Sequence, residues 1–261
     1  MQLSHQRLGT GPPLVLIHGI GSRWQVWEPV LYRLAADRDV VALDLPGFGA
    51  SPMPPPGTPP GAGSLTQLVS EFLDELGLER PHVAGNSLGG WLSLELAKRG
   101  HAASATGLSP GGFLNRPETV FAQASLLIAF RLAQLLAPRA DRLLSRPGAR
   151  KLALGQFVAR PERMTPAEAV GDLRGLAGAA WFEPTLRAIA AEHFTDGARI
   201  DAPVTIAWGE KDRLLLPHQA GRAAREIPRA RFLTLAGCGH VPMYDDPDQV
   251  ARVLLEGSGG G

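Results

Sequence analysis

Ser87 stands in Gly85-Asn86-Ser87-Leu88-Gly89, a Gly-x-Ser-x-Gly pattern followed by Gly90. An apolar segment, His82–Gly85, precedes it, and a helical pattern from Leu88 to Arg99 follows. A serine in so sharp a strand-to-helix turn is driven to positive φ, a strain of about 1–3 kcal/mol for a residue with a side chain. Gly85 and Gly89 leave room for the crossing backbones. The turn exposes the hydroxyl and sets it above a helix N-terminus, whose free N–H groups can bind an anion. A surface serine in a Gly-rich loop would need neither the strand before it nor the helix after it.

A serine hydroxyl is a weak nucleophile at neutral pH and needs a base. His240, in Gly237-Cys238-Gly239-His240-Val241-Pro242, follows the last strand-like run, and its small neighbours let a loop bring the imidazole over the sheet edge. The imidazole in turn needs a carboxylate to orient it and to stabilise the imidazolium. Asp212, in Trp208-Gly209-Glu210-Lys211-Asp212, follows the preceding strand and is the better placed acid; Glu210 is the fallback. Nucleophile, acid and base then occur in the order Ser87, Asp212, His240, each after a strand. A tetrahedral intermediate also needs fixed N–H donors, which can be worth about 2.7–4 kcal/mol each. Leu88 N–H, next after the serine, and Ile20 N–H, in His18-Gly19-Ile20-Gly21 after the first strand, are the expected pair. His18 ends a strand and is expected to support that loop, not to act as the base.

The elements that must position these residues are legible in the apolar runs. Leu14–Ile17, Val40–Leu43, His82–Gly85 and Val204–Trp208 are short and continuous, as in strands covered on both faces; Ala103–Ser109 and Arg231–Leu235 are weaker strands. Helical patterns fill Trp24–Ala36, Ser64–Leu76, Leu88–Arg99 and Pro217–Glu226. Ser64 and Gln67 make a capping-box pattern, and Asp246-Pro247 opens a final helix. Pro52–Gly63 reads as a surface connection. From Gly111 to Gly197 the alternation gives way to several helices broken by prolines. The chain divides into a first core part, 1–110, an all-helical insertion, 111–197, and a second core part, 198–261, which closes in a flexible Gly/Ser tail. Alternating strands and helices predict an α/β, mostly parallel, doubly wound sheet.

With their order, these motifs resemble the α/β-hydrolase superfamily over nearly the whole chain, as does Asp44-Leu45-Pro46-Gly47-Phe48-Gly49-Ala50-Ser51 after the second parallel strand. The resemblance implies an eight-stranded sheet with a helical cap inserted after strand six, the opening hairpin being trimmed here. It also implies a serine hydrolase that cleaves a carboxylic ester or related activated carbonyl through an acyl-enzyme. Epoxide hydrolases and haloalkane dehalogenases of this fold use an Asp nucleophile, which Ser87 argues against. The Gly-Asn-Ser-x-Gly-Gly elbow is similar to that of carbon–carbon bond hydrolases of aromatic ring-cleavage products, the second reading. A ligand receptor on the same fold, with little turnover, is the third.

Composition narrows the partners. The 261 residues are 44% hydrophobic and carry a net charge of +1, which gives no general field for nucleic acid or an anionic membrane. Cys238, the one cysteine, can form no internal disulfide and is read as a small buried loop residue. The remaining histidines are not clustered, so no metal is expected, and without a phosphate-binding glycine loop no nucleotide or flavin cofactor is expected either. No run approaches 18 apolar residues, so no membrane span is expected, and the location is expected to be cytoplasmic. Residues 124–137 could form a membrane-surface helix, but at 14 residues are read as a buried cap helix, which favours a small-molecule substrate with an apolar acyl or aromatic part if it lines the cleft.

Overall fold

The computed structural model describes residues 1–259. Seven strands form one sheet: β1 (His5–Leu8), β2 (Pro13–Ile17), β3 (Asp39–Leu43), β4 (His82–Asn86), β5 (Ser104–Leu108), β6 (Val204–Gly209) and β7 (Arg231–Leu235). Their spatial order is β1-β3-β2-β4-β5-β6-β7. Every pairing is parallel except that of β1, which lies antiparallel to β3 at the edge. The sheet therefore has one strand fewer than the eight expected. The residues before β2 supply only β1, and the helical insertion consequently follows the fifth strand, not the sixth.

Helices cover both faces. On one side α2 (Ala62–Glu75) and α3 (Leu88–Lys98) pack on Val15, Ile17, Val41, Leu43 and Ile206. On the other, α1 (Glu28–Ala35) and α10 (Pro247–Gly257) cover Leu14, Leu16, Val40, Ala42 and Ala207. The side chains of β2 and β3 alternate between these two layers, so both faces are apolar and the strands read as unbroken apolar runs. The helix between β6 and β7 is α9 (Ala220–Glu226).

Five helices lie between β5 and β6: α4 (Arg116–Leu136), α5 (Ala140–Leu144), α6 (Pro147–Leu154), α7 (Pro166–Ala177) and α8 (Phe182–Ile189). They carry a small core of their own around Ala133, Leu144, Val158, Met164, Val170 and Leu173. Asn115 and Glu118 cap α4 reciprocally, and Thr165 and Glu168 do the same for α7.

Three local readings differ from the structure. The Ser64–Gln67 capping box does not form: α2 starts two residues earlier, and its Ala62 N–H is held by the Glu192 carboxylate at 3.0 Å. The apolar helix of the insertion spans 21 residues and is buried along one face only: Ala122, Leu126, Phe130 and Ala133 are buried, whereas Phe121, Ile128, Leu132 and Leu135 are exposed. With the helical residues that follow it, Arg116–Leu144 is long and apolar enough to cross a membrane by length and composition. Finally, Gly257 ends α10 instead of beginning a tail, and Ser258 is buried where Arg38 grips its hydroxyl and carbonyl oxygens. Residues 260–261 lie outside the described residues.

Candidate active site

Ser87 joins β4 to α3 with φ 58° and ψ −118°, outside the helical region. The crossing is tight because glycine stands on either side. A Cβ on Gly85 would overlap the Gly89 carbonyl, and one on Gly89 would overlap the Ile17 carbonyl oxygen. Leu88 opens α3, so its N–H belongs to the first turn, which has no acceptor within the helix. The loop after β2 lies directly over the serine: a Cβ on Gly19 would sit 3.1 Å from Ser87 Cβ and 3.7 Å from its Oγ. Ile20, next in that loop, lines the same space as Ser87.

His18 holds this loop from beneath. It is fully buried; Nδ1 donates to Gly19 O at 2.7 Å and Nε2 accepts from Leu45 N–H at 2.9 Å, which sets one neutral tautomer. Burial lowers its pKa, against the pull of the Gly19 carbonyl and Asp44. Both ring nitrogens are thus engaged with backbone, leaving none for a substrate. Asp44 ties the adjacent turn by accepting from Trp24 N–H at 2.6 Å and Ala50 N–H at 2.9 Å.

His240 and Asp212 meet across the ends of β6 and β7. His240 Nδ1 is 2.8 Å from Asp212 Oδ2, and both residues are buried. Asp212 Oδ1 accepts from Leu214 N–H and Leu215 N–H, each at 2.9 Å, so the carboxylate is fixed at both oxygens. Glu210 is exposed and accepts from Gly237 N–H at 2.7 Å, apart from the histidine. His240 Nε2 is buried without a hydrogen-bond partner. A bare ring nitrogen backed by a carboxylate can take a proton from a hydroxyl that reaches it.

Ser87 and His240 open on one cavity of about 510 Å³, whose other walls come from α4, α5, α6 and α7. The walls are mainly Leu, Ile, Ala and Val, and Asp172 is the only carboxylate among them. A smaller space of about 60 Å³ also borders Ser87, bounded by Leu88, Trp91, Leu186 and Leu214. Among the described residues no three His, Cys, Asp or Glu side chains gather as metal ligands.

Several contributors escaped the sequence reading. Asn86, beside the serine, donates from Nδ2 to His240 O at 2.8 Å and Leu108 O at 3.1 Å, which ties the histidine loop to the sheet. Asp245 is buried and accepts from Gly239, Ala159 and Arg160 N–H groups, which ties the same loop to the helical insertion. Asp172 faces the cavity, with Tyr244 Oη donating to it at 3.1 Å; burial pushes its pKa up to about 7. The sequence offers a signal only for Asn86, through its place in the elbow.

The chain has relatives among known proteins. The model of the alpha/beta hydrolase family matches residues 14–253. "Epoxide hydrolase EphH" of Mycobacterium tuberculosis is 33% identical over 198 residues, which cover 73% of this chain and 91% of that protein. "Pimeloyl-[acyl-carrier protein] methyl ester esterase" of Aeromonas hydrophila is 28% identical over 277 residues, covering 97% and 98%. A bacterial membrane phospholipase A of known structure superimposes with a TM-score of 0.78 at 24% identity, covering 99% of this chain and 84% of that one, and so shares the fold.

Proposed function

The chain belongs to the alpha/beta hydrolase family, and from that premise we propose that it is a serine hydrolase acting on a carboxylic ester, or a similarly activated carbonyl, with an apolar acyl or aromatic part. His240 Nε2 takes the proton of Ser87 as Oγ attacks the carbonyl carbon, and Asp212 holds the imidazolium that results. The oxyanion of the tetrahedral intermediate is held by the N–H groups of Ile20 and Leu88. Its collapse expels the alcohol, protonated by His240, and leaves an acyl-Ser87 ester. His240 then draws a proton from water, which attacks that ester and frees the acid.

One observation carries this reading: the bare, buried Nε2 of a histidine paired with Asp212 shares a cavity with a serine held at φ 58°. The named epoxide hydrolase relative does not redirect it. Serine attack on an epoxide would form an ether, which water does not cleave, whereas a carboxylate nucleophile would form a hydrolysable ester. Carbon–carbon cleavage of a ring-cleavage diketone acid is less well suited, because that substrate is an anion. Among the described residues no Lys or Arg lines the cavity to receive it, and Asp172 repels it once ionised.

The test sets purified protein and Ser87→Ala against p-nitrophenyl esters of increasing acyl length, with a ring-cleavage diketone acid alongside. Ester turnover lost in Ser87→Ala is the expected result. Fast diketone cleavage with slow ester turnover would move the assignment to carbon–carbon hydrolysis. Tight binding without turnover of either would favour a receptor.

A further inference from the structure

Helix α4 is apolar on two opposite faces. Ala122, Leu126, Phe130 and Ala133 turn inward, and Phe130 stacks on Phe182 with ring centroids 4.4 Å apart. Phe121, Ile128, Leu132 and Leu135, at spacings of seven, four and three, form a second stripe that is 48–66% exposed. Leu143 of α5 and Leu152 of α6 extend it, the latter 90% exposed. Soluble surfaces seldom leave so continuous an apolar stripe bare without a binding partner. Four of these side chains, Ile128, Leu132, Leu143 and Leu152, also line the cavity that holds Ser87 and His240. The stripe is therefore the outer rim of the substrate cavity.

The charge around this rim is predominantly positive, although Arg131 is paired with Glu183. Residues 116–163 hold nine Lys and Arg against three Asp and Glu, a net +6 in a chain whose total is +1. Arg139, Arg142, Arg146 and Lys151 are exposed. The one carboxylate between 131 and 155, Asp141, is paired with Arg174. Cations in excess over carboxylates, set around exposed leucines, complement an anionic lipid surface: the apolar side chains enter the acyl boundary while the cations meet the headgroups. The helix lies on such a surface and does not cross it, because its inner stripe is packed on the body of the protein.

We infer that the outer face of α4, with α5 and α6, docks on an anionic lipid surface with the cavity mouth toward it, so that the enzyme draws an apolar acyl ester directly from the lipid phase. The identity of the substrate rests on the serine-hydrolase reading above; the docking does not.

The experiment is co-sedimentation of the full chain, and of Ser87→Ala, with vesicles of phosphatidylcholine alone and of phosphatidylcholine with phosphatidylglycerol. Binding to the anionic vesicles is expected to be at least about tenfold tighter, and to weaken as salt is raised. Phe121→Asp with Leu135→Asp, neither of which lines the cavity, is expected to cut that binding at least about tenfold and leave turnover of a short soluble ester unchanged. Arg142→Gln with Arg146→Gln and Lys151→Gln is expected to abolish the preference for anionic vesicles.

No binding to either vesicle, binding indifferent to both sets of substitutions, or a dimer that buries Phe121 and Leu135 and ignores vesicles would each overturn the inference. Vesicle binding without ester turnover in the unmodified protein would refute the hydrolase reading and leave the docking standing. Turnover without vesicle binding would do the reverse.

Discussion

Asp172 gives the sharpest physical prediction, because its carboxyl faces an apolar cavity. Burial raises its pKa from 3.8 to about 7, with Glu168 and Glu28 adding to the effect and the Tyr244 hydrogen bond and Arg23 opposing it. Each pKa unit corresponds to about 1.36 kcal/mol, so the gap amounts to a ceiling of about 4 kcal/mol, which cavity water reduces. The sign follows from proton counting. Below pH 4 folded and unfolded chains both hold the proton. Between about pH 4 and 7 the unfolded chain loses it first, so stability falls as pH rises and then levels off above 7. Asp172→Asn keeps an oxygen for Tyr244 and removes the titration. Relative to the native chain it should gain about 2–4 kcal/mol on going from pH 4 to pH 8, or roughly 5–10 °C in Tm. Urea unfolding of both proteins at pH 4, 6 and 8 measures that difference. A difference independent of pH, or one that shrinks as pH rises, would refute the burial argument.

Other consequences lie away from that side chain. Burial pushes the Glu118 pKa up, but hydrogen bonds from Arg222, the Asn115 N–H and His218 outweigh it and hold the pKa at about 2. Glu118→Gln should therefore cost about 1–2 kcal/mol at pH 7, solvent screening removing part of the full effect, a loss that fades as pH falls from 4.5 toward 2 in acid titrations of stability. Cys238 is fully buried, and its thiol is pushed up to about 12 by burial and by Asp245 and Asp246. Thiol reagents should leave it unmodified in the native protein and label it once in urea; rapid native labelling would contradict that placement. Asn86→Ala removes the link between the elbow and His240 O. It should cost about 1–3 kcal/mol in stability and lower kcat more than it changes KM for a soluble ester.

The parts of the fold and candidate site that were legible in the sequence are those made of neighbours in the chain. The elbow is local, since Gly85 and Gly89 make way for the crossing at Ser87 within five residues. The buried strands β2, β3, β4 and β6 stood out because both faces of the sheet are covered. What stayed hidden depends on distant partners. Strand β1, His-Gln-Arg-Leu, has no apolar alternation and exists because the edge of β3 is free to pair with it. The α2 start is set by Glu192, 130 residues further on. Asp245, which clamps the histidine loop to residues 159 and 160, carries no local sign of that role. The outer stripe of α4 has the same composition as a buried one, and only the arrangement of the insertion shows that it is left exposed among the described residues.

The central claim is that chemistry passes through an acyl group on Ser87. Rapid mixing with a p-nitrophenyl ester, followed by acid quench and mass spectrometry of the peptides, tests it most directly. The account predicts a burst approaching one equivalent of p-nitrophenol per chain and an acyl adduct on the peptide containing Ser87, both absent in Ser87→Ala. An adduct on another residue, or full turnover by Ser87→Ala with no adduct at all, would contradict it.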